Sequence, residues 1–303
     1  MPPAAKRAVE EDTATIAKRY RSAIDESSEE LLCPITYCLP FDPVLAEDGK
    51  VYERGAIEDW LKQHQRSPVT NLPMGTKLVA ATQIKNIIER MVRSGALPDD
   101  KIAEWKKRIK EQEMVAQTRA LAEGGHARAA YRLGSWYWFG KFGLNKDESK
   151  AFVLFKQAAD GGDADGMGWL ANVYYVGIGV EESNGLALRW AAVGSHLGSG
   201  KAMRMLGNLY IDGKAGLPVD KEEGLKWYKQ GCEASADKQG CNVNAAGLRK
   251  LALMYAEGEG TTVDINEAAQ WMRKAVKHNQ PPYAVEKARA WLTARGLAVE
   301  VEE

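Results

Sequence analysis

One five-residue pattern recurs through the second half of the chain. Leu133-Gly134-Ser135-Trp136-Tyr137 returns as Leu170-Ala171-Asn172-Val173-Tyr174, as Leu206-Gly207-Asn208-Leu209-Tyr210 and as Leu251-Ala252-Leu253-Met254-Tyr255. The leading leucines stand 37, 36 and 45 residues apart. A glycine-rich turn comes after each, starting at Gly140, Gly177, Gly213 and Gly258, and then a second segment of helical texture. Each unit reads as helix, glycine turn, helix. A single helix pair of this size cannot bury its apolar face, so such pairs stack into an all-α solenoid. Leu154, Trp190, Trp227 and Trp271 are the large residues expected in the seams, and a helix around Trp291 is expected to cap the end. The turns Gly177-Ile178-Gly179 and Gly258-Glu259-Gly260 are not dinucleotide loops. Those need a preceding strand and a fuller glycine pattern, whereas here a helix precedes each turn and the turn recurs.

The chain has 303 residues, room for about two domains. Lys plus Arg and Asp plus Glu both number 41, so no basic excess favours nucleic acid or a membrane surface. No apolar run approaches the roughly 20 residues that span a bilayer. The first residues lack the apolar core of a secretory signal, and only four cysteines occur, at 33, 38, 232 and 241. The reading is a soluble intracellular protein of the cytoplasm. Lys6-Arg7 and Lys18-Arg19-Tyr20-Arg21 fit a bipartite nuclear signal as well as a solvated helix face.

Composition shifts divide the chain into a polar arm (1–28), a compact unit (29–94), a linker helix (95–123) and the solenoid (124–298). Within the compact unit, Glu47-Asp48-Gly49-Lys50 between Val44-Leu45 and Val51-Tyr52 is a hairpin signal. Next comes a helix with Ile57 and Leu61 on one face and Trp60 beside them, then a loop bounded by Pro68 and Pro73. A second helix near 83–93 carries Ile84, Ile87, Ile88 and Met91. Pro98-Asp99 opens the linker helix, whose Ile102, Trp105 and Ile109 are expected to dock on the solenoid after it.

The stretch CPITYC, Cys33 to Cys38, raises the question of metal. The compact unit holds only Cys33, Cys38 and His64 as ligands of cysteine or histidine type, fewer than the four of a structural zinc site. A nucleophilic thiol would want a base or a cationic setting, which Cys33 beside Pro34 lacks. Cys232 and Cys241 fall in the insertion that stretches the last period and are expected to be reduced surface or packing thiols. The two loops must then be held by polar groups. Asp42, Glu53, Arg54, Asp59, Ser67, Thr70 and Asn71 are the candidates, and such a network is stable only when mutually paired.

Cys33-Pro34-Ile35-Thr36, Asp42-Pro43-Val44, Gly49 through Tyr52-Glu53-Arg54, Ile57 through Trp60-Leu61, Pro68-Val69-Thr70, and Leu78 with Ile87-Ile88 after it resemble a U-box in order and spacing. That resemblance implies a small α+β, RING-like domain without metal, no cofactor and ubiquitin ligase activity. Its partner would be a ubiquitin-conjugating enzyme carrying ubiquitin as a thioester, and some members of the family also form homodimers. By the family pattern, Ile35, Tyr37, Trp60 and Pro68 form the docking groove for that enzyme. Asn71 stands where many members carry arginine, which weakens the expectation of strong activation. Bottom-up, Ile35 comes after a proline in a loop and Trp60 is offset from the core stripe, as expected of apolar groups left at a surface.

The repeats, over about residues 120–298, resemble Sel-1-like repeats, relatives of the tetratricopeptide class, which implies a protein-binding surface. Asn172 and Asn208 occupy equivalent places on successive helices and are candidates to grip a substrate backbone. The alternative to a ligase is a non-enzymatic scaffold using both parts for assembly only.

Overall fold

The structure is a computed structural model and describes residues 29–236, 245–277 and 282–299. The polar arm, its basic clusters and Cys241 lie outside the described residues. The chain divides into two compact units, residues 1–114 and 115–303.

In the first unit, β1 (Pro43–Leu45) and β2 (Val51–Glu53) pair antiparallel with Val44 opposite Tyr52. Their turn closes by the Ala46 N–H donating to the Lys50 carbonyl at 3.0 Å. Gly49 sits in the turn at φ 76°, a conformation that glycine adopts without strain. A short β3 (Val79–Ala80), too brief to read from sequence, pairs with β1 to give the order β2-β1-β3. Helix α1 (Arg54–His64) turns Ile57 and Leu61 inward, and α2 (Thr82–Ser94) turns Ile88 and Val92 inward. Cys33, Val44, Tyr52, Ile57, Leu61 and Met74 share one core cluster, with Ile35, Trp60 and Leu78 packed at its edge.

Helix α3 (Asp99–Glu123) corrects one expectation. Its face of Ile102, Trp105 and Ile109 packs with Leu39, Ile88, Val92 and Leu97, so that face docks on the compact unit before it, while near the end of the helix the Ala122 carbonyl accepts from Gln157 at 2.6 Å. Arg108 strengthens that attachment, donating to the Leu39 carbonyl at 2.7 Å and to Glu53 at 2.6 Å.

The second unit holds the last part of α3 and the helix pairs. They are α4 (Ala127–Phe139) with α5 (Glu148–Asp160), α6 (Ala164–Val176) with α7 (Asn184–His196), α8 (Gly200–Asp212) with α9 (Lys221–Ala236), and α10 (Ala245–Glu257) with α11 (Ile265–Lys277). The closing helix is α12 (Pro282–Thr293), whose Trp291 packs on the last core cluster. The same latch joins each pair. The residue that starts the second helix, Asp147, Ser183, Asp220 or Asp264, donates its N–H to the carbonyl of Tyr137, Tyr174, Tyr210 or Tyr255 at 2.8–2.9 Å. Its side chain then caps the helix, as Asp220 does by accepting from the Glu223 N–H at 2.9 Å.

Burial runs continuously through the array. Phe155 is fully buried and stacks on Trp169 with ring centroids 5.3 Å apart. Trp190 packs on the clusters of both the first and the second seam, Trp227 on the second, and Trp271 is buried in the last. Leu154 is half-buried beside Gly134. At Gly207 a β-carbon would lie 2.8 Å from the Gly224 carbonyl, so glycine there is what lets α8 and α9 approach. Cys232 is a packing thiol, 1% exposed, and burial pushes it up to about 11. Among the described residues no helix is long and apolar enough to cross a membrane.

Candidate functional site

The first loop folds back on itself. The Cys33 N–H donates to the Cys38 carbonyl at 2.9 Å and the Tyr37 N–H to the Cys33 carbonyl at 2.8 Å. The fold forces Tyr37 into the left-handed region, φ 56°, and leaves its side chain 79% exposed. Ile35, two residues earlier, is half-buried against the core. Neither cysteine is poised for chemistry. Cys33 is buried in the core. Burial pushes the Cys38 thiol up, and the Glu104 carboxylate that accepts from it at 3.1 Å adds to the shift. Among the described residues no group of three or more His, Cys, Asp or Glu could hold a metal ion.

The second loop, residues 65–74, is tied across its base. The Ser67 N–H donates to the Leu72 carbonyl at 2.9 Å and the Met74 N–H to the Gln65 carbonyl at 3.2 Å. Its buried centre is Ser67, whose hydroxyl donates to Asp48 Oδ2 at 2.6 Å and accepts the N–H groups of Val69 and Thr70 at 3.1 and 3.0 Å. Asp48 also accepts from the Tyr52 hydroxyl at 2.7 Å and the Lys50 N–H at 3.0 Å. Burial raises the Asp48 carboxyl, but hydrogen bonds from Ser67, Tyr52 and Lys50 together outweigh it and hold the group below its usual range. Burial first, and the bond to Asp48 second, raise the Tyr52 phenol.

Other polar groups complete the frame. Glu53 accepts the N–H groups of Phe41 and Asp42 at 2.8 and 3.0 Å. Arg54 pairs with Asp42 at 2.6 Å and Glu47 accepts the Gly75 N–H at 2.8 Å. Asp59 pairs with Lys62 on its own helix. The sequence pointed to Asp42, Glu53, Arg54 and Ser67, but Asp48, Glu47 and Arg108 were missed. Asp48 was legible only as a turn residue, and nothing in its neighbours signals a partner 19 residues away.

Trp60 links the helix to the second loop. Its indole N–H donates to the Arg66 carbonyl at 2.7 Å and its ring stacks on His64 at 4.2 Å. Pro68 is half-buried and Asn71 exposed, with Asn71 at φ 58° and its N–H on the Ser67 carbonyl at 3.0 Å. Thus Ile35 and Trp60 share the edge of one core, and Trp60 anchors the root of the loop that carries Pro68 and Asn71. Val69 and Leu72 on that loop are exposed apolar groups as well, 48% and 65%.

In the array, Asn172 on α6 and Asn208 on α8 are both half-buried. Asn208 Oδ1 accepts from Lys250 Nζ, on α10, at 2.7 Å. Burial lowers the Lys250 amine below its usual range. Lys250 gave no sign in sequence, because its partner comes from the preceding repeat. One further inter-repeat clamp joins Arg128, Asp165 and Ser199, with Asp165 accepting from both at 2.9 Å.

Comparison with known proteins matches both parts. The U-box domain family model covers residues 28–95, and the Sel1 repeat model covers residues 127–163, 164–199, 200–235 and 245–279. The WD repeat, SAM and U-box domain-containing protein 1 of Danio rerio is 54% identical over 52 residues, 17% of this chain and 11% of that protein. The ERAD-associated E3 ubiquitin-protein ligase component HRD3A of Arabidopsis thaliana is 36% identical over 81 residues, 27% of this chain and 12% of that protein. The chain therefore spans about a tenth of the length of either relative. A solved Sel1 repeat protein from Oxalobacter formigenes is 23% identical, covering 60% of this chain and 77% of its own, with a TM-score of 0.43. This chain joins a U-box domain, residues 28–95, to four Sel1 repeats within residues 127–279.

Proposed function

We propose that the chain is a ubiquitin-protein ligase whose U-box docks a conjugating enzyme charged with ubiquitin and whose repeats recruit the protein to be modified. The observation that carries this reading is the pair of polar-stapled loops, which hold Ile35, Tyr37, Trp60 and Pro68 at or near the surface of a small rigid unit. The match of that unit to the U-box family supports it.

The reaction needs no nucleophile from this chain, and no ubiquitin is bound covalently to it on the way. A lysine amine of the substrate attacks the thioester carbonyl. Its nitrogen–carbon bond forms as the carbon–sulfur bond breaks, the thiolate leaves on the conjugating enzyme, and the amine proton passes to solvent. Bringing amine and thioester together is the ligase's contribution, and effective molarity of this kind lowers a barrier by several kcal/mol.

The test is reconstitution with ubiquitin, activating enzyme and a panel of conjugating enzymes. Ubiquitin chains support the ligase, and silence across the panel supports an assembly scaffold. Ile35→Ala is expected to abolish autoubiquitination with the fold intact, because losing a groove residue costs about 1–3 kcal/mol of a weak contact. Full activity in that variant sinks the docking reading. In the repeats, the double change Asn172→Ala, Asn208→Ala is expected to weaken capture of the substrate while autoubiquitination continues.

A further inference from the structure

We propose that the first repeat carries a slot for an aromatic side chain of the recruited protein, flanked in that protein by acidic residues. This rests on the reading that the repeats recruit the protein to be modified, and it names one chemistry that they take. The slot is a ring short. In every repeat the seam residue lies seven positions after the residue that starts the second helix: Leu154 after Asp147, Trp190 after Ser183, Trp227 after Asp220 and Trp271 after Asp264. Three repeats put an indole there, and it packs with the core cluster that holds the leading leucine, Leu170, Leu206 or Leu251. The first repeat has only a leucine, and there the surface opens. A cavity of about 390 Å³ lies against Leu154 and its own leading leucine, Leu133, with Ala122, Tyr137 and Val153 as further walls. That volume falls among ordinary ligand sites, about 300–1,000 Å³. All of its lining belongs to the second compact unit.

The walls are held in place. The bond from Gln157 to the Ala122 carbonyl ties the end of α3 to α5, and both helices line the cavity. Arg119 donates to the Tyr137 hydroxyl at 3.2 Å, and the Lys150 amine lies 5.5 Å from the centre of the same ring. Val153 is 62% exposed, an apolar group beside a cavity that a partner would cover. Charge then selects what flanks the ring. Three positions past the start of the helix, the last two repeats carry Glu223 and Glu267, and Glu267 accepts the Trp271 indole N–H at 3.0 Å. The first repeat has Lys150 at that position, so the sign is reversed. A cation there attracts a carboxylate, repels a basic neighbour and interacts well with the face of an entering ring. Lys150 pairs with Asp147 at 3.1 Å, an exposed contact of the weak kind. Arg119 adds a second cation to the lining against the single carboxylate of Glu123.

The probe is the acetylated, amidated pentapeptide Asp-Asp-Phe-Asp-Asp, titrated into the full chain and followed through the methyl signals of Leu133 and Val153. Saturable shifts are expected there and not at Leu251. Alanine in place of the phenylalanine is expected to weaken binding roughly tenfold, as for a buried aromatic anchor, and lysine in place of the four aspartates to weaken it several-fold. Leu154→Trp supplies the ring from within. It is expected to keep or raise the thermal midpoint and to weaken peptide binding roughly tenfold. Val153→Gln, at an exposed position, is expected to weaken binding several-fold with the midpoint unchanged. Binding that both variants leave unaltered overturns the proposal, as does equal affinity for the alanine peptide. A dimer of the unaltered chain that Leu154→Trp dissolves puts a second copy in the slot and also overturns it. A peptide that shifts neither methyl overturns the slot and leaves the ligase reading, which stands on reconstitution. A panel of conjugating enzymes that stays silent while the peptide binds as expected sinks the ligase reading and leaves the slot.

Discussion

Asp48 in the U-box and Phe155 in the repeats hold their regions by opposite means. Asp48 accepts from a turn amide, a core tyrosine and a serine 19 residues away, so a single carboxylate gathers hairpin, core and loop. Phe155 gathers its neighbours by shape, against Tyr131, Trp138 and Trp169. The first region is too small to bury much apolar surface, so directional bonds fix its exposed loops. The second has apolar surface to spare on every helix and repeats one packing solution. Losing a bond in the first is expected to loosen a loop. Losing volume in the second is expected to weaken a seam.

Phe155→Ala gives the largest expected effect, about 3–5 kcal/mol for an aromatic removed from a buried site. Amide hydrogen exchange is expected to quicken in α4 through α7 and to leave residues 33–74 unchanged; a change in the U-box would break the contrast. Ser67→Ala comes next, at about 1–3 kcal/mol, because it orphans two loop amides and removes one donor from Asp48. Exchange should rise at Val69 and Thr70 while the repeats keep their protection.

Acid has the smallest effect and the sharpest power to discriminate. The Asp48 carboxyl lies below its unfolded value, so its stabilisation is present above the usual carboxylate range and fades as pH falls through the depressed folded value. Asp48→Asn is therefore expected to be less stable than the unaltered chain at neutral pH, the gap closing in acid, as read from exchange in residues 65–74. Asp165 in the repeats is also held low. Burial opposes this, but Lys201, Arg128 and Ser199 outweigh it. The acid response of the array should persist in the Asp48→Asn chain, and its disappearance would mean that the two carboxylates are not independent.

Legibility in the sequence divides along the same line. Repetition exposed the array, since a helix pair that must bury its face against its neighbour repeats its leucines, tyrosines and turns at a fixed spacing. The hairpin was legible because a left-handed turn position asks for Gly49. The polar staples were largely hidden. Asp48 looks like any turn aspartate until Ser67 is seen beside it, and Arg108 on a charged helix gives no hint of which neighbour it will face. The docking direction of α3 was misjudged for that reason. Of the site, the offset of Trp60 was readable from position alone, whereas Tyr37 came only through the family resemblance and the hold of Trp60 on Arg66 was not legible.

The latch between paired helices has a consequence for descent. Both atoms that close it, an amide nitrogen and a tyrosine carbonyl oxygen, belong to the main chain. Point changes in the tyrosines leave the acceptor intact, and only proline at the donor removes the other half. A gene segment copied in tandem would therefore bring its own closure with it. Lengths of 36 or 45 between pattern starts are tolerated alike, because extra residues enter between units and not within the latch. Such an array can gain or shed members and redraw its outer residues freely, while the compact domain that precedes it, bound through single irreplaceable side chains, has far less latitude to drift.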